Sequence, residues 1–170
     1  MTLSFLGTVN RSQCDLPSAQ ALHEESLAIF QKLSYRLGIA ESLGSLAGVA
    51  AATGDYAAAQ ALHNESLTIR RDLGDRRGIA KSLTGLAYVT FALGLPERAA
   101  RIWGAAERLR EEIGSPLPPA PIDGSGYDRH MAVARATFED EAAFGSARKE
   151  GRELTVERAI EFALEKTGAL

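Results

Sequence analysis

Residue types that often carry chemistry are scarce in this 170-residue sequence. Its single cysteine, Cys14, excludes an intrachain disulfide and any metal site built from several cysteines, as is typical of a reducing compartment. The sequence also lacks the G-x-S-x-G and H-E-x-x-H motifs of common hydrolases and metalloproteases. We therefore expect no catalytic residues, no metal site and no cofactor, and predict that the chain is not an enzyme.

Long apolar runs and clustered basic residues are missing as well. The longest uncharged run, around Leu43 to Thr53, is far shorter than the ~20 residues that a membrane span needs. Residues 1–15 show no basic leader followed by an apolar run, so export is not signalled. The net charge is −3 and the arginines are dispersed among acids, which argues against neutralisation of nucleic-acid phosphates. We expect a cytoplasmic chain without membrane or direct nucleic-acid contacts.

The dominant positive feature is an internal repeat with a period of 40 residues. Residues 21–60 begin ALHEESLAIF and residues 61–100 begin ALHNESLTIR, and about half of the aligned positions are identical. The register continues backwards to Leu3 and, more faintly, forwards to Gly114. Single units of such arrays cannot bury their own apolar face, so about three must stack. We predict repeats at 1–33, 34–73 and 74–114.

Each repeat has the pattern of a helical hairpin. Apolar residues recur at helical spacing, as in the series from Ile39 through Leu43 and Leu46. The turns read TGDY at 53–56 and LGLP at 93–96. In these turns glycine can end one helix in a left-handed conformation, and aspartate or proline suits the start of the next.

The large and small positions of the hairpin resemble those of the tetratricopeptide repeat family. That motif has large apolar residues at its fourth and seventh positions and small ones at its eighth and twentieth, because helix backbones approach closely there. Leu43, Leu46, Ala47 and Ala59 occupy these places in the second repeat. The sequence departs from the motif in its longer period and in lacking the motif's Trp, Tyr and closing Pro. The resemblance implies an all-α, right-handed solenoid of about three helical hairpins with a C-terminal helical tail.

The resemblance also implies where a partner binds, because the first helix of each tetratricopeptide unit lines a concave groove. Tyr88 and Phe91 make the third unit aromatic, which favours an apolar or helical ligand. Alternatively, both rings pack against the tail or a neighbouring repeat, and the sequence leaves the two interpretations open. Carried over by register, the predicted groove comprises Thr8, Arg11, Glu41, Gly44, Gly48, Ala51, Lys81, Thr84, Tyr88 and Phe91.

The segment after the repeats begins with SPLPPAP and continues to GSG, so we predict a linker at 115–126. Beyond it, apolar residues at helical spacing predict a tail of three helices over residues 127–170. The first runs from Tyr127 to Phe138, and the second covers Glu141–Glu150 and ends at Gly151. The third begins after Thr155, a suitable N-cap.

This tail, with AAERLR before the linker and GRELT after it, is similar to the C-terminal region of LuxR-type and related bacterial signal-transduction ATPases. In those regulators such repeats serve as the sensing or regulatory arm. The resemblance implies a non-catalytic protein-interaction scaffold in signal transduction and transcriptional regulation, whose partner is a protein or peptide such as an ATPase or regulator domain. An exposed end of the stack would also favour a homodimer. The alternative function is a small-molecule sensor with a pocket near Tyr88, Phe91 and Trp103.

Two motifs resemble a phosphate-binding loop and a metal site, but their sequence context argues against both. The segment GDRRGIAKS at 74–82 misses the spacing of a phosphate loop, and no strand precedes it. His23 and His63 occupy one repeat position, and its third copy is Trp103. We therefore predict that this position holds a ring-sized core side chain instead of a metal ligand.

Overall fold

The computed structural model describes residues 15–114 and 141–165, and all the elements within these ranges are α-helices. Consecutive repeat helices pack against each other as hairpins, which confirms the predicted all-α repeat fold with a helical tail. Thr8, Arg11, the predicted linker and the predicted helix at 127–138 lie outside the described residues. The helices are α1 (Leu16–Lys32), α2 (Arg36–Ala52), α3 (Tyr56–Leu73), α4 (Arg76–Ala92), α5 (Pro96–Glu112), α6 (Glu141–Glu153) and α7 (Val156–Leu164).

Aspartate caps begin three of the described repeat helices, and the predicted cap at Asp55 is one of them. The side chains of Asp15, Asp55 and Asp75 each accept a hydrogen bond from a backbone N–H three residues later, at 3.2, 3.0 and 2.9 Å. Pro96 stands at the start of α5, where its missing N–H costs nothing. These caps satisfy donors that have no partner within the helix.

The turns that follow the repeat helices need a left-handed residue. Gly54, Gly74, Gly94 and Gly114 supply it, with φ between 65° and 84°. The equivalent place after α1 holds Ser34, whose φ is 52°. A residue with a Cβ is strained in this conformation, whereas glycine is not. The turn at Ser34 is therefore less stable than the equivalent turn at Gly74.

Buried hydroxyl pairs link the helices at the repeat interval. The Oγ atoms of Ser26 and Ser42 are 3.3 Å apart, and those of Ser66 and Ser82, 40 residues later, are 3.4 Å apart. Ser66 also donates to the carbonyl oxygen of Ala40 at 2.8 Å. These short side chains let the helices approach closely while their polar atoms remain paired.

One pair of repeat positions is filled by different chemistry in successive units. In the first, the rings of Phe30 and Tyr35 make an edge contact with centroids 5.4 Å apart over Gly38. In the second, Arg70 and Asp75 form an ion pair at 2.8 Å. Arg70 is only 7% exposed, so burial lowers its pKa while Asp75 acts in the opposite direction. An aromatic pair and a buried ion pair thus fill the same space.

Candidate partner-binding surface

The predicted groove residues on α2 and α4 differ widely in exposure. Glu41 and Lys81 are exposed, and Gly44, Tyr88 and Phe91 are half-buried. A partner on this face would therefore meet a half-exposed aromatic region on α4 together with an exposed acid and an exposed base. This part of the predicted set has the surface access that recognition requires.

The remaining described positions of the predicted groove are buried. Gly48 is buried, and Ala51, 3% exposed, packs with Ala59 and Val89 in a small apolar cluster. Thr84 is also 3% exposed. These side chains contribute to packing between helices and are not presented on the surface. Register alone could not separate them from exposed neighbours, because burial depends on how adjacent repeats stack.

Tyr88 contributes to both the surface and the interior. Its ring makes an edge contact with Tyr56, with centroids 6.2 Å apart, and it borders the cluster around Ala51. Burial, followed by a hydrogen bond with Tyr56, raises the pKa of Tyr88 to about 12. Its hydroxyl therefore stays neutral at physiological pH. Phe91 packs at the edge of the main core cluster. Packing against neighbouring elements, the second interpretation of these two rings, thus accounts for the buried part of each.

Arg110 contacts one buried member of the predicted groove, and sequence reasoning missed it. Its Nη2 donates to Thr84 Oγ1 at 3.1 Å, and that hydroxyl donates to the carbonyl oxygen of Ala80 at 2.9 Å. Arg110 is half-buried and brings a cation from α5 to α4. The repeat could have indicated this residue, because Arg110 lies 40 residues after the buried Arg70 and so occupies the same repeat position.

The predicted core role of the two repeat-related histidines is confirmed. His23 and His63 are 0% and 3% exposed, and Trp103 at the third copy is 8% exposed. A Cβ added to Gly85 would overlap the ring of His63, so this glycine makes room for it. Burial first, and then Lys81 and Arg70, lower the pKa of His63 to about 3. The imidazole is therefore neutral near pH 7.

The tail is joined to the last repeat by unusually close backbone contact. A Cβ on Gly104 of α5 would overlap the carbonyl oxygen of Arg148, and one on Gly151 of α6 would overlap that of Arg101. The prediction that Gly151 ends its helix is wrong, since α6 continues to Glu153. The physical reason is that this glycine serves helix packing, which needs a missing side chain within the helix.

Ring and ion-pair contacts surround this close approach. Trp103 and Phe144 meet edge to face with centroids 6.1 Å apart. Arg148 donates to both carboxylate oxygens of Glu107, from Nε at 2.7 Å and from Nη2 at 3.0 Å. Arg152 makes a similar pair of bonds to Glu111, at 3.1 and 2.7 Å. Trp103 therefore belongs to the seam between repeat and tail.

The sequence of the repeats matches a known protein family. The sequence profile of the tetratricopeptide repeat matches residues 1–72 and, in a second overlapping placement, residues 38–112. The chain belongs to the tetratricopeptide repeat family. Its repeats are thus of a type that generally mediates protein–protein interaction and has no catalytic role of its own. Searches of curated proteins and of solved structures give no significant match.

The described part of this tetratricopeptide protein holds neither a metal-type cluster nor a membrane-type helix. Within residues 15–114 and 141–165, no three His, Cys, Asp or Glu side chains come together as a metal site would require. None of the described helices is both long enough and apolar enough to cross a bilayer.

Proposed function

We propose that this tetratricopeptide protein is a non-catalytic interaction module and the regulatory or sensing arm of a bacterial ATPase-type transcriptional regulator, acting in the cytoplasm. The observation that carries the interaction role is the surface on α2 and α4 formed by Glu41, Lys81, Tyr88 and Phe91. It combines rings that are already partly held in place with charges of both signs. Rings fixed by packing lose little conformational entropy on binding, so they suit recognition of a protein segment.

The regulator context rests on the likeness of the tail to the C-terminal arms of such ATPases. In this chain the described part of the tail packs onto the last repeat through Gly104 and Gly151. Joined in this way, the last repeat and the tail can bind an ATPase or regulator domain as a single body. A partner protein, not nucleic acid or a membrane, is therefore the expected ligand.

The test uses charge reversal, because alanine at Tyr88 would also remove packing against Tyr56. The immobilised chain captures partners from the native cytoplasm, and Glu41→Lys and Lys81→Glu are compared with the unmodified chain. Lys149→Glu, an exposed change on α6, is the matched control. We expect the reversals on α2 and α4 to remove a defined ATPase or regulator component that the control retains.

Two results would contradict the proposal. If both charge-reversal variants capture the same component as the unmodified chain, the surface on α2 and α4 is not the binding site. A captured component that the control loses equally shows recognition by overall charge instead of by this face. Far-UV circular dichroism of each variant establishes that the helices are intact before binding is compared.

A further inference from the structure

Helix α7 lies in a groove formed by three repeat helices. It packs against α3, α4 and α5, and at one end Val156 and Ala159 border a small cavity together with Leu83 of α4. At the other end Arg98 of α5 donates to backbone carbonyl oxygens of α7 and of Glu165, the latter at 2.8 Å. Its guanidinium also lies 4.5 Å from the centroid of the Phe162 ring. A basic side chain thus anchors the end of this helix.

One unit earlier, α1, α2 and α3 form a second groove that is related to the α7 site through the repeat position of Arg98; we call it the α1–α3 groove. It encloses an open volume of about 270 Å³. Leu46, Ala50 and Leu62 supply its apolar part, and Ala58 lies on its α3 side. Ala58 is the repeat equivalent of Arg98, so the anchor of α7 has no basic counterpart here.

The rim of the α1–α3 groove has the opposite electrostatic character. Glu24 and Asp55 line it, whereas their repeat equivalents are Asn64 and Leu95, and none of its lining residues is basic. Both carboxylates are held in place, since Glu24 accepts from Gln20 at 2.8 Å and Asp55 accepts from the N–H of Ala58. Their charges therefore act at fixed positions on one side of an apolar groove.

Helix α7 itself is a poor match for this acidic groove. Residues 156–165 contain three glutamates and one arginine, a net charge of −2. A second copy of α7 would bring like charges together, and no arginine of this groove would donate hydrogen bonds to its last carbonyl oxygens. The occupant that fits has the short apolar face of α7 but carries basic residues beside it.

We propose that the α1–α3 groove is a docking site for a short amphipathic helix of a partner protein, with small apolar side chains on one face and Lys or Arg flanking it. The groove uses a different stripe of α2 from Glu41 and Gly44, so it can be occupied independently of the surface assigned above. Its apolar part gives the contact, and Glu24 and Asp55 select for positive charge.

The test compares two acetylated and amidated peptides that match residues 155–165. One has the native sequence, and the other carries Glu157→Lys, Glu161→Lys and Glu165→Lys. Each is labelled and titrated with the full chain by fluorescence anisotropy, and amide NMR shifts locate the binding site. We expect the lysine peptide to bind with a Kd below about 1 mM and the native peptide to bind about tenfold more weakly.

The variant Ala58→Arg places the anchor of the α7 groove into the α1–α3 groove. We expect this variant to bind the lysine peptide more weakly than the unmodified chain does. It should also bind the native peptide more tightly than the lysine peptide. Ala57→Arg is the matched control, because Ala57 is exposed on the same helix and does not line the groove. In the control the preference should stay as in the unmodified chain.

Three outcomes would overturn the proposal. If neither peptide binds below about 1 mM, the groove does not take a helix of this class. Tighter binding of the native peptide to the unmodified chain would identify the tail of a second copy as the occupant. If Ala58→Arg and Ala57→Arg weaken binding of the lysine peptide equally, the peptide is attracted by the overall charge of the chain. Amide NMR shifts outside α1 to α3 would lead to the same conclusion.

Discussion

Replacing Gly151 by alanine tests whether close backbone approach joins the tail to the repeats. The added Cβ would overlap the carbonyl oxygen of Arg101, a backbone atom that no side-chain rotation can move. Only a shift of α6 relative to α5 relieves the overlap. Gly145 offers a matched control on the same helix, because a Cβ there meets nothing within 4 Å.

Two opposing effects set the expected magnitude. Overpacking costs about 1–3 kcal/mol, whereas Gly to Ala in a helix gains up to about 1 kcal/mol. Gly145→Ala should therefore raise the free energy of unfolding by up to about 1 kcal/mol, and Gly151→Ala should lower it by up to about 2 kcal/mol. For a chain of this size, 1 kcal/mol corresponds to a change in Tm of about 2–4 °C.

Trp103 allows tail docking to be observed directly. It is the only tryptophan in the chain and its ring contacts Phe144 of α6. Far-UV circular dichroism gives the Tm, and tryptophan emission reports whether the seam has opened. We expect Gly151→Ala to shift the emission to longer wavelength, whereas Gly145→Ala should leave it unchanged. Equal Tm values and equal emission in both variants would refute the argument from close approach.

The other predictions concern a turn, a buried histidine and a buried ion pair. Ser34→Gly should raise the free energy of unfolding by about 1 kcal/mol, since φ is positive there, and Gly74→Ser should lower it by a similar amount in urea melts. The folded-state pKa of His63 is about 3, below the ordinary 6.5, so the unfolded chain takes up the proton first as pH falls. Stability should then drop by roughly 1.4 kcal/mol per pH unit from 6.5 towards 3, and His63→Phe should reduce this slope; an unchanged slope would count against the assignment. Asp75→Ala strands the buried Arg70 and should cost about 3 kcal/mol, whereas Arg70→Phe combined with Asp75→Tyr should recover most of that loss; no recovery in denaturant melts would contradict the exchange of an aromatic for an ionic pair.

Local signals in the sequence were sufficient for the helices of the repeats. The cap at Asp55 and the left-handed Gly54 act within a few residues, so a residue pattern specifies them before any packing occurs. The shared position of His23 and His63 was likewise readable, because a 40-residue repeat compares each position with its own copies.

The predicted surface was less accessible to sequence reasoning. Register placed Ala51 and Thr84 in the groove together with Glu41 and Lys81, yet only the charged pair is exposed. Val89 of the next repeat packs against Ala51, and the guanidinium of Arg110 reaches Thr84 from α5 of the same repeat. Burial of this kind depends on contacts between distant residues, which a local pattern does not contain.

The sequence by itself determined the repeat period, the helices of the repeats, the cap at Asp55 and the family, because each depends on residues that are close along the chain or that recur at a fixed interval. Tertiary structure alone decided that Gly151 joins the tail to α5 instead of ending a helix. It also decided that α7 packs onto α3, α4 and α5, and not into the groove bordered by Glu24 one unit earlier. Both outcomes depend on the distance and charge between helices far apart in sequence, and packing sets those quantities.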